Sequence, residues 1–497
     1  MSYFSTRNGT VVTASQAILT GLAPDGGLFV PSMFPQLGLR DIQAMQGLSY
    51  VEGAKQIVSA FLEDYSPGEV GASCYEAYGT GRFDDPGVAP LKNVDSNTFL
   101  LELFHGPTLA FKDMALQLLP RLLTAAARKQ GEEREIAILV ATSGDTGKAA
   151  LEGFLDVPGT SCTVFYPKEG VSDVQKLQMV TTGGSNTRVI AVEGNFDDCQ
   201  RGVKALFSSE DFRQKMAEKG KVLSSANSIN LGRLIPQVVY YFSAYVDMIG
   251  RGVIPAGEAI NFVVPTGNFG NILAAWYARA MGLPVAKLIC ASNRNDVLTD
   301  FFTTGTYDMR RMFHKTISPS MDILLSSNLE RLLYEATDRD GALVKTWMEQ
   351  LSAGGTYSIG QQRYEWLRSV FEAGCAEDSE TLDEIRLMYG TRGVVLDPHT
   401  AVASCVLRKY RARTHDETPA VIVSTASPYK FAPDVVRAIH GKDAVAGLTA
   451  LQCAESLNTL SGQPIPDQVR TLPEKPILHT VSCSATVDAM AAAVLEG

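Results

Sequence analysis

Residues 139–150 read LVATSGDTGKAA, an apolar run, a short polar loop and the start of a helix. The same grammar returns in AINFVVPTGNFGNILAAWYARAMG from residue 259 and in TPAVIVSTASPYKFAPDVVRAIHG from residue 418. Short Val- and Ile-rich runs that each end in a polar loop opening a helix predict parallel sheets with helical crossovers. The expected fold class is therefore α/β. In such sheets ligands bind where loops leave the carboxyl ends of the strands, so all three loops fall where a site is expected.

The loop at 142–149 invites comparison with a nucleotide-binding P-loop. Aligning Gly147 and Lys148 on that motif puts Thr142 where its first glycine belongs and Ala149 where its magnesium-binding hydroxyl belongs, so two of four defining positions fail. What survives is an anion-compatible helix start in which Ser143, Gly144, Thr146 and Gly147 offer N–H groups and hydroxyls, suited to a carboxylate as well as to a phosphate; an ordinary capped turn is the alternative. The loop Gly267, Asn268, Phe269, Gly270, Asn271 is the better phosphate cradle, because its glycines allow close backbone approach and its helix start supplies N–H donors. It lacks the G-x-G-x-x-G dinucleotide fingerprint.

Two further stretches carry chemistry. In ELFHGPTLAFKDMALQLLP, Lys112 is expected within an apolar helix, where a lysine either snorkels to solvent or, if buried, loses its charge readily enough for Schiff-base chemistry. Asp113 beside it is expected to be a solvated or helix-capping charge. In VIVSTASPYKF, Ser424, Thr425 and Ser427 follow a strand; they either cap the next turn or present a neutral hydroxyl to a heterocyclic nitrogen. One lysine, one phosphate cradle, one anion loop and one strand-end hydroxyl form the set required to hold pyridoxal 5'-phosphate by its aldehyde, phosphate and ring nitrogen.

The bulk numbers agree with such an enzyme. At 497 residues, 45% apolar and 20% charged, the chain is expected to bury a real core and to divide into several domains. We place their bounds at 1–92, 93–235 and 236–497, with the large N-terminal segment preceding the α/β units. The net charge of -10 disfavours nucleic acid as a partner. Eight dispersed cysteines without a CxxC pair, and six histidines without an HExxH pattern, argue for reduced thiols and against a metal site. The start MSYFSTRNGT has no apolar signal core and no run reaches the roughly 18 apolar residues of a membrane span, so a cytoplasmic, soluble protein is expected.

HGPTLAFKDMALQ, ATSGDTGKAA, SANSINLGRLIPQ, PTGNFGN and LDPHTAVA, in this order and spacing, resemble the threonine synthase family in its long form with an extended N-terminal segment. The resemblance implies two parallel-sheet domains of the tryptophan-synthase-β-like (fold type II) pyridoxal phosphate type plus an extra N-terminal domain. It implies conversion of O-phospho-L-homoserine and water to L-threonine and phosphate, by a monomer or homodimer with no nucleic-acid or membrane partner. Carried over residue by residue, Lys112 would hold the cofactor aldehyde, residues Gly267, Asn268, Phe269, Gly270 and Asn271 its phosphate, and Thr425 its ring nitrogen. Ser143 to Gly147 would receive the substrate α-carboxylate. Asn227, Ser228, Asn230 and Arg233, with Lys168 as a second cation, would serve the substrate phosphate. His105 and His399 keep two readings each, proton transfer or packing, with Asp397 expected as a helix N-cap. A serine or threonine dehydratase on the same fold is the enzymatic alternative, and its products would be a keto acid and ammonia.

Overall fold

The computed structural model describes the chain apart from Asn8, Ser143, Glu169, Gly170 and Gly497. All three strand–loop–helix units form as their patterns predict: Glu135–Ala141 leads to the helix Asp145–Phe154, Ile260–Pro265 to Gly270–Ala280, and Ala420–Ser424, through the short 3-10 turn Pro428–Phe431, to Ala432–His440. The strands fall into two main sheets.

The larger sheet runs, edge to edge, Phe371–Cys375, Val285–Ser292, Ile260–Pro265, Ala420–Ser424, Thr98–Glu102 and Leu91–Asn93. All its pairings are parallel except the last, where Leu91–Asn93 lies antiparallel at the edge. The smaller sheet is fully parallel, in the order Ser482–Ser484, Thr187–Glu193, Thr160–Pro167, Glu135–Ala141, Lys221–Ser224. The segment 93–235, expected as one unit, is thus divided: its first strand belongs to the larger sheet and only the rest builds the smaller one. Conversely, Ser482–Ser484 returns from the end of the chain to close the smaller sheet's edge. Hydrogen bonding to a neighbouring strand decides membership, and sequence order carries no information about a strand that crosses between sheets.

The N-terminal segment opens with a small antiparallel sheet of Tyr3–Ser5, Val11–Val12 and Phe29–Pro31, followed by the amphipathic helix Tyr50–Phe61, capped by Ser49 and Glu52 in a reciprocal box. Polar staples bind this segment to the site-bearing body. Arg7 forms a two-pronged pair with Glu330 at 2.8 Å through each nitrogen, and the buried Arg331 donates to the carbonyls of Phe29 at 2.9 Å and Ile229 at 2.6 Å. Asn230 caps the twenty-residue helix Leu231–Gly250 by accepting from the Gly232 N–H, and its amide donates to the carbonyls of Ile18 at 3.0 Å and Ser225 at 2.9 Å.

Asn230 should therefore behave as a structural residue. Replacing it by Ala removes a cap worth about 1 kcal/mol and orphans two buried carbonyls, for a total of roughly 2–4 kcal/mol. Urea unfolding of Asn230→Ala measures this directly. A loss below about 0.5 kcal/mol would show that the helix start and the N-terminal segment are not joined in this way.

Candidate functional site

Lys112 does not lie inside a helix. It occupies the cap position just before the one-turn helix Asp113–Leu116, at the end of a segment that runs back along the strand-end loop 425–427. The Phe111 N–H donates to the Thr425 carbonyl at 2.8 Å, the Ser427 N–H donates to the Leu109 carbonyl at 3.0 Å, and Ala110 bridges Ala426. These contacts set Thr425 beside the lysine. Leu109 takes a left-handed backbone, φ 58°, a costly conformation for a branched side chain that turns the segment into the site. Asp113 is not solvated. It is completely buried, and its carboxylate closes the turn by accepting from the N–H and the hydroxyl of Thr108, both at 2.8 Å. Burial pushes its pKa up to about 7.

The Lys112 ammonium is only 12% exposed; it donates to the Ser320 hydroxyl at 3.2 Å and stands 3.6 Å from Asp145. Burial pulls its pKa down to about 8, against the opposing pull of Asp145 and with help from the neighbouring Lys430 and Arg233 charges. That is the microenvironment of a lysine that can give up its proton near neutral pH.

Asp145 begins the helix Asp145–Phe154 and faces inward. One oxygen accepts from Lys430 Nζ at 2.6 Å and from the Gln175 amide at 2.9 Å, and the other accepts from the Ser320 hydroxyl at 3.4 Å. Burial alone would raise its pKa, but Lys430 and Lys112 outweigh it and hold the carboxyl well below the usual range. Lys430 itself is entirely buried and also donates to the Thr108 carbonyl at 2.9 Å.

Asp145 thus already bonds within the protein, and the helix start carries its own anion. The amides of Gly144 and Gly147 both donate to the Thr142 hydroxyl, at 3.0 and 2.9 Å. Thr146 is half-buried at the same helix start. Ser143 lies outside the described residues.

The cradle is built differently. Carbonyls of Gly267 and Asn268 are taken by the Ser326 hydroxyl at 2.7 Å and by the backbone and side-chain amides of Asn328 at 3.1 and 3.0 Å. Among the described residues, the amides of Gly267, Asn268 and Phe269 donate to nothing. Phe269 adopts φ 66° immediately before the helix Gly270–Ala280. A side chain at 267 would meet the Ser320 carbonyl at 2.7 Å, so only glycine fits. The side-chain oxygen Oδ1 of Asn271 accepts from the hydroxyls of Tyr240 at 2.5 Å and Tyr241 at 2.6 Å, and its buried side-chain Nδ2 has no partner among the described residues. Free amides at a helix start plus an orphaned buried donor fit a phosphate group. With Lys112 and Thr425 near one another, the donor set fits pyridoxal phosphate.

Arg233 is 3% exposed, donates to the Ala226 carbonyl at 2.5 Å and has no carboxylate partner among the described residues; its Nε is buried and unpaired. Burial pulls its pKa down to about 10. Ser228 lies against the cradle helix, its Cβ 3.9 Å from where a Cβ on Gly270 would stand. Asn227 is half-buried beside it, its N–H donating to the Ser225 hydroxyl. Two expected site residues are engaged elsewhere. Asn230 is consumed by the structural contacts above, and Lys168 is exposed at the surface, paired with Glu193 at 3.2 Å.

Both histidines are engaged by other groups of the protein. His105 is gripped between Asp84 at 2.6 Å and Glu102 at 3.0 Å, and these two carboxylates overcome burial to raise its pKa to about 9. His399 is buried against Phe431, with Nδ1 2.8 Å from Asp397 and Nε2 accepting from the Ser320 N–H at 3.2 Å. Asp397 does cap the helix Pro398–Thr414, accepting from the amides of His399 and Thr400.

Because the folded His105 pKa of about 9 exceeds its ordinary value of 6.5, its ion pairs stabilise fully below pH 6.5 and are lost as pH rises through about 9. The urea midpoint of the parent should exceed that of His105→Gln at acidic pH, with the gap closing by about pH 10. A gap independent of pH would mean that His105 is not a buried imidazolium. For the cradle, Gly267→Ala should cost about 1–3 kcal/mol in the same assay and weaken phosphate-ester binding, since the Ser320 carbonyl must move.

Residues 2–78 match the family described as Threonine synthase N terminus, residues 86–426 the Pyridoxal-phosphate dependent enzyme family, and residues 400–494 Threonine synthase, C-terminal. The chain is 41% identical to Threonine synthase of Pseudomonas aeruginosa, covering 89% of this chain and 91% of that protein. It is 43% identical to human Threonine synthase-like 1 over 86% of this chain, but spans only 58% of that protein's length. A crystal structure of PLP-bound threonine synthase from Brucella melitensis superposes over 100% of this chain and 99% of its own, with 39% identity and a TM-score of 0.87. The fold, the cradle and these likenesses together mean that the chain belongs to the threonine synthases of the pyridoxal-phosphate-dependent enzyme family.

Proposed function

We propose that the protein converts O-phospho-L-homoserine and water to L-threonine and phosphate, as the last step of threonine formation. The observation that carries the choice of a phosphorylated substrate is Arg233. A buried guanidinium without a carboxylate is costly unless an anion comes to it, and a planar fork of donors suits a phosphate. Its charge acts on Lys112, so an anion bound there lies within reach of the reacting centre.

Lys112 would carry the cofactor, the amides of residues 267–269 and the Asn271 side chain would hold its phosphate, and Thr425 would present a neutral hydroxyl to its ring nitrogen. Bound pyridoxal phosphate supplies an electron sink next to the substrate Cα. Freed when the substrate amine takes its place, the Lys112 nitrogen, whose ammonium form burial already weakens, would move one proton at a time: it would take the Cα proton, deliver it, and only then take a Cβ proton, as a general base suited to neutral pH. Phosphate leaves from Cγ toward Arg233, a proton is returned to Cγ, water adds at Cβ, and Lys112 returns a proton to Cα. Asp145 stays ionised throughout, fixed by Lys430, and keeps the ammonium form of Lys112 within reach without taking its proton. A cytoplasmic location fits the eight free cysteines, six of them buried.

Purified protein loaded with pyridoxal phosphate should release phosphate and threonine in equal amounts from O-phospho-L-homoserine. Release of a keto acid and ammonia instead would identify the dehydratase alternative. Arg233→Met should raise KM for the phosphorylated substrate and lower kcat/KM by about 100-fold or more, the loss of one charge-assisted phosphate contact. Unchanged kinetics would remove Arg233 from the substrate site.

A further inference from the structure

Ser320, on the Pro319–Met321 turn, is where four parts of the site meet. Lys112 Nζ donates to its hydroxyl at 3.2 Å, and the hydroxyl donates to Asp145 at 3.4 Å. Its N–H donates to His399 Nε2 at 3.2 Å. Its carbonyl overhangs Gly267. The turn is itself anchored: the Asn293 amide donates to Thr316, Ser318 and Asp322, and Asp322 also accepts from the Thr316 hydroxyl at 2.7 Å and the Asn295 amide at 3.0 Å.

The hydrogen directions are fixed. Ionised Asp145 can only accept, so Ser320 turns its hydrogen to Asp145 and a lone pair to Lys112. A ring nitrogen that accepts from a backbone N–H carries no proton, so the His399 hydrogen is on Nδ1 and is donated to Asp397.

We propose that Ser320 is a further catalytic residue, a hydroxyl that aims the free Lys112 nitrogen during turnover, and that His399 and Asp397 are positioning residues acting through the Ser320 amide. The proposal rests on the reading of Lys112 as the cofactor lysine. When the nitrogen of a lysine leaves the cofactor, its four-carbon stem regains rotational freedom, and a proton-transferring group must stay within hydrogen-bond reach of its target. An oriented acceptor beside the amine limits that freedom. Ser320 takes no net proton, because Asp145 is too acidic to receive one in exchange; the proton stays on Lys112.

Capture of pyridoxal phosphate by the apoprotein, followed by visible absorbance across pH, reads the protonation of Lys112 without turnover. The parent should capture with a midpoint near 8. In Ser320→Ala, loss of an acceptor that favours the ammonium should lower that midpoint by about one unit. Turnover should fall at least about tenfold with KM changed less than about twofold, and Ser320→Thr should restore both. His399→Phe, which keeps an aromatic ring against Phe431, should reproduce part of the defect and add nothing in the double variant with Ser320→Ala. A Ser320→Ala protein with unaltered midpoint and turnover overturns the proposal, as do fully additive effects in the double variant. A parent that captures no cofactor overturns the reading of Lys112, and this proposal with it.

Discussion

A single buried carboxylate joins the two halves of the catalytic body. Asp145 begins a helix of the smaller sheet, whereas Lys430 follows a strand of the larger one, and they meet at 2.6 Å with both side chains removed from water. Two ions buried this deeply do not repay desolvation by attraction alone, so the remaining donors matter: Gln175 and Ser320 complete the carboxylate, and the Thr108 carbonyl takes another proton of Lys430. Removing one partner would leave the other charge uncompensated, which ordinarily costs about 3–5 kcal/mol. The pair therefore adds a polar link to the hydrophobic core the two sheets share, which includes Val140 and Val164 of the smaller sheet and Phe262 and Val423 of the larger one, and it sets the charge balance beside Lys112.

That setting is cationic. The Lys430 and Arg233 charges both act on Lys112; Asp145 pairs directly with Lys112 and Lys430, whereas Arg233 has no carboxylate partner among the described residues. The surplus has two consequences. It adds to the burial that depresses Lys112 toward neutral pH, and it would favour anions: in the proposed function, a cofactor phosphate at the free amides of 267–269 and a substrate phosphate at Arg233. One charge arrangement thus serves both reactivity and binding. The fold supplies it by bringing together loops from the carboxyl ends of strands in two different sheets, the location favoured in parallel α/β architecture.

Most of the architecture was legible in the sequence because the three strand–loop–helix units carry their signal locally, in apolar runs that stop at Gly- and Ser-containing loops. The cradle loop was legible as a Gly-containing loop for the same reason; Lys112 was legible as a lysine among apolar residues, but it stands before a helix and not inside one. Lys430 was not. It reads as a polar residue of a turn, and its partner is 285 positions away; the only local hint is that it stands between Tyr429 and Phe431 directly after a buried strand. Ser320 and Gln175 gave less, since a serine in SPSMD and a glutamine in a helix are usually capping or surface residues. The departures from expectation had the same origin. Lys168 and Asn230 have the right chemistry for phosphate, but strand pairing sends Lys168 to the surface beside Glu193 and the N-terminal segment claims Asn230. Asp113, expected as a solvated or helix-capping charge, is buried because the chain folds back on it through Thr108. Division of residues 93–235 between two sheets was equally invisible, for pairing partners lie hundreds of residues apart.

Lys112, rather than the still more deeply buried Lys430 on the other side of Asp145, is the amine proposed to engage the cofactor. Geometry separates them: Lys430 is locked by a 2.6 Å ion pair and a carbonyl, whereas Lys112 stands 3.6 Å from the same carboxylate with its pKa brought down to about 8. Incubation with pyridoxal phosphate, reduction with borohydride and peptide mass mapping identify the modified lysine directly. The account predicts a single stable label on Lys112. A label on Lys430, or none on either residue, would contradict it.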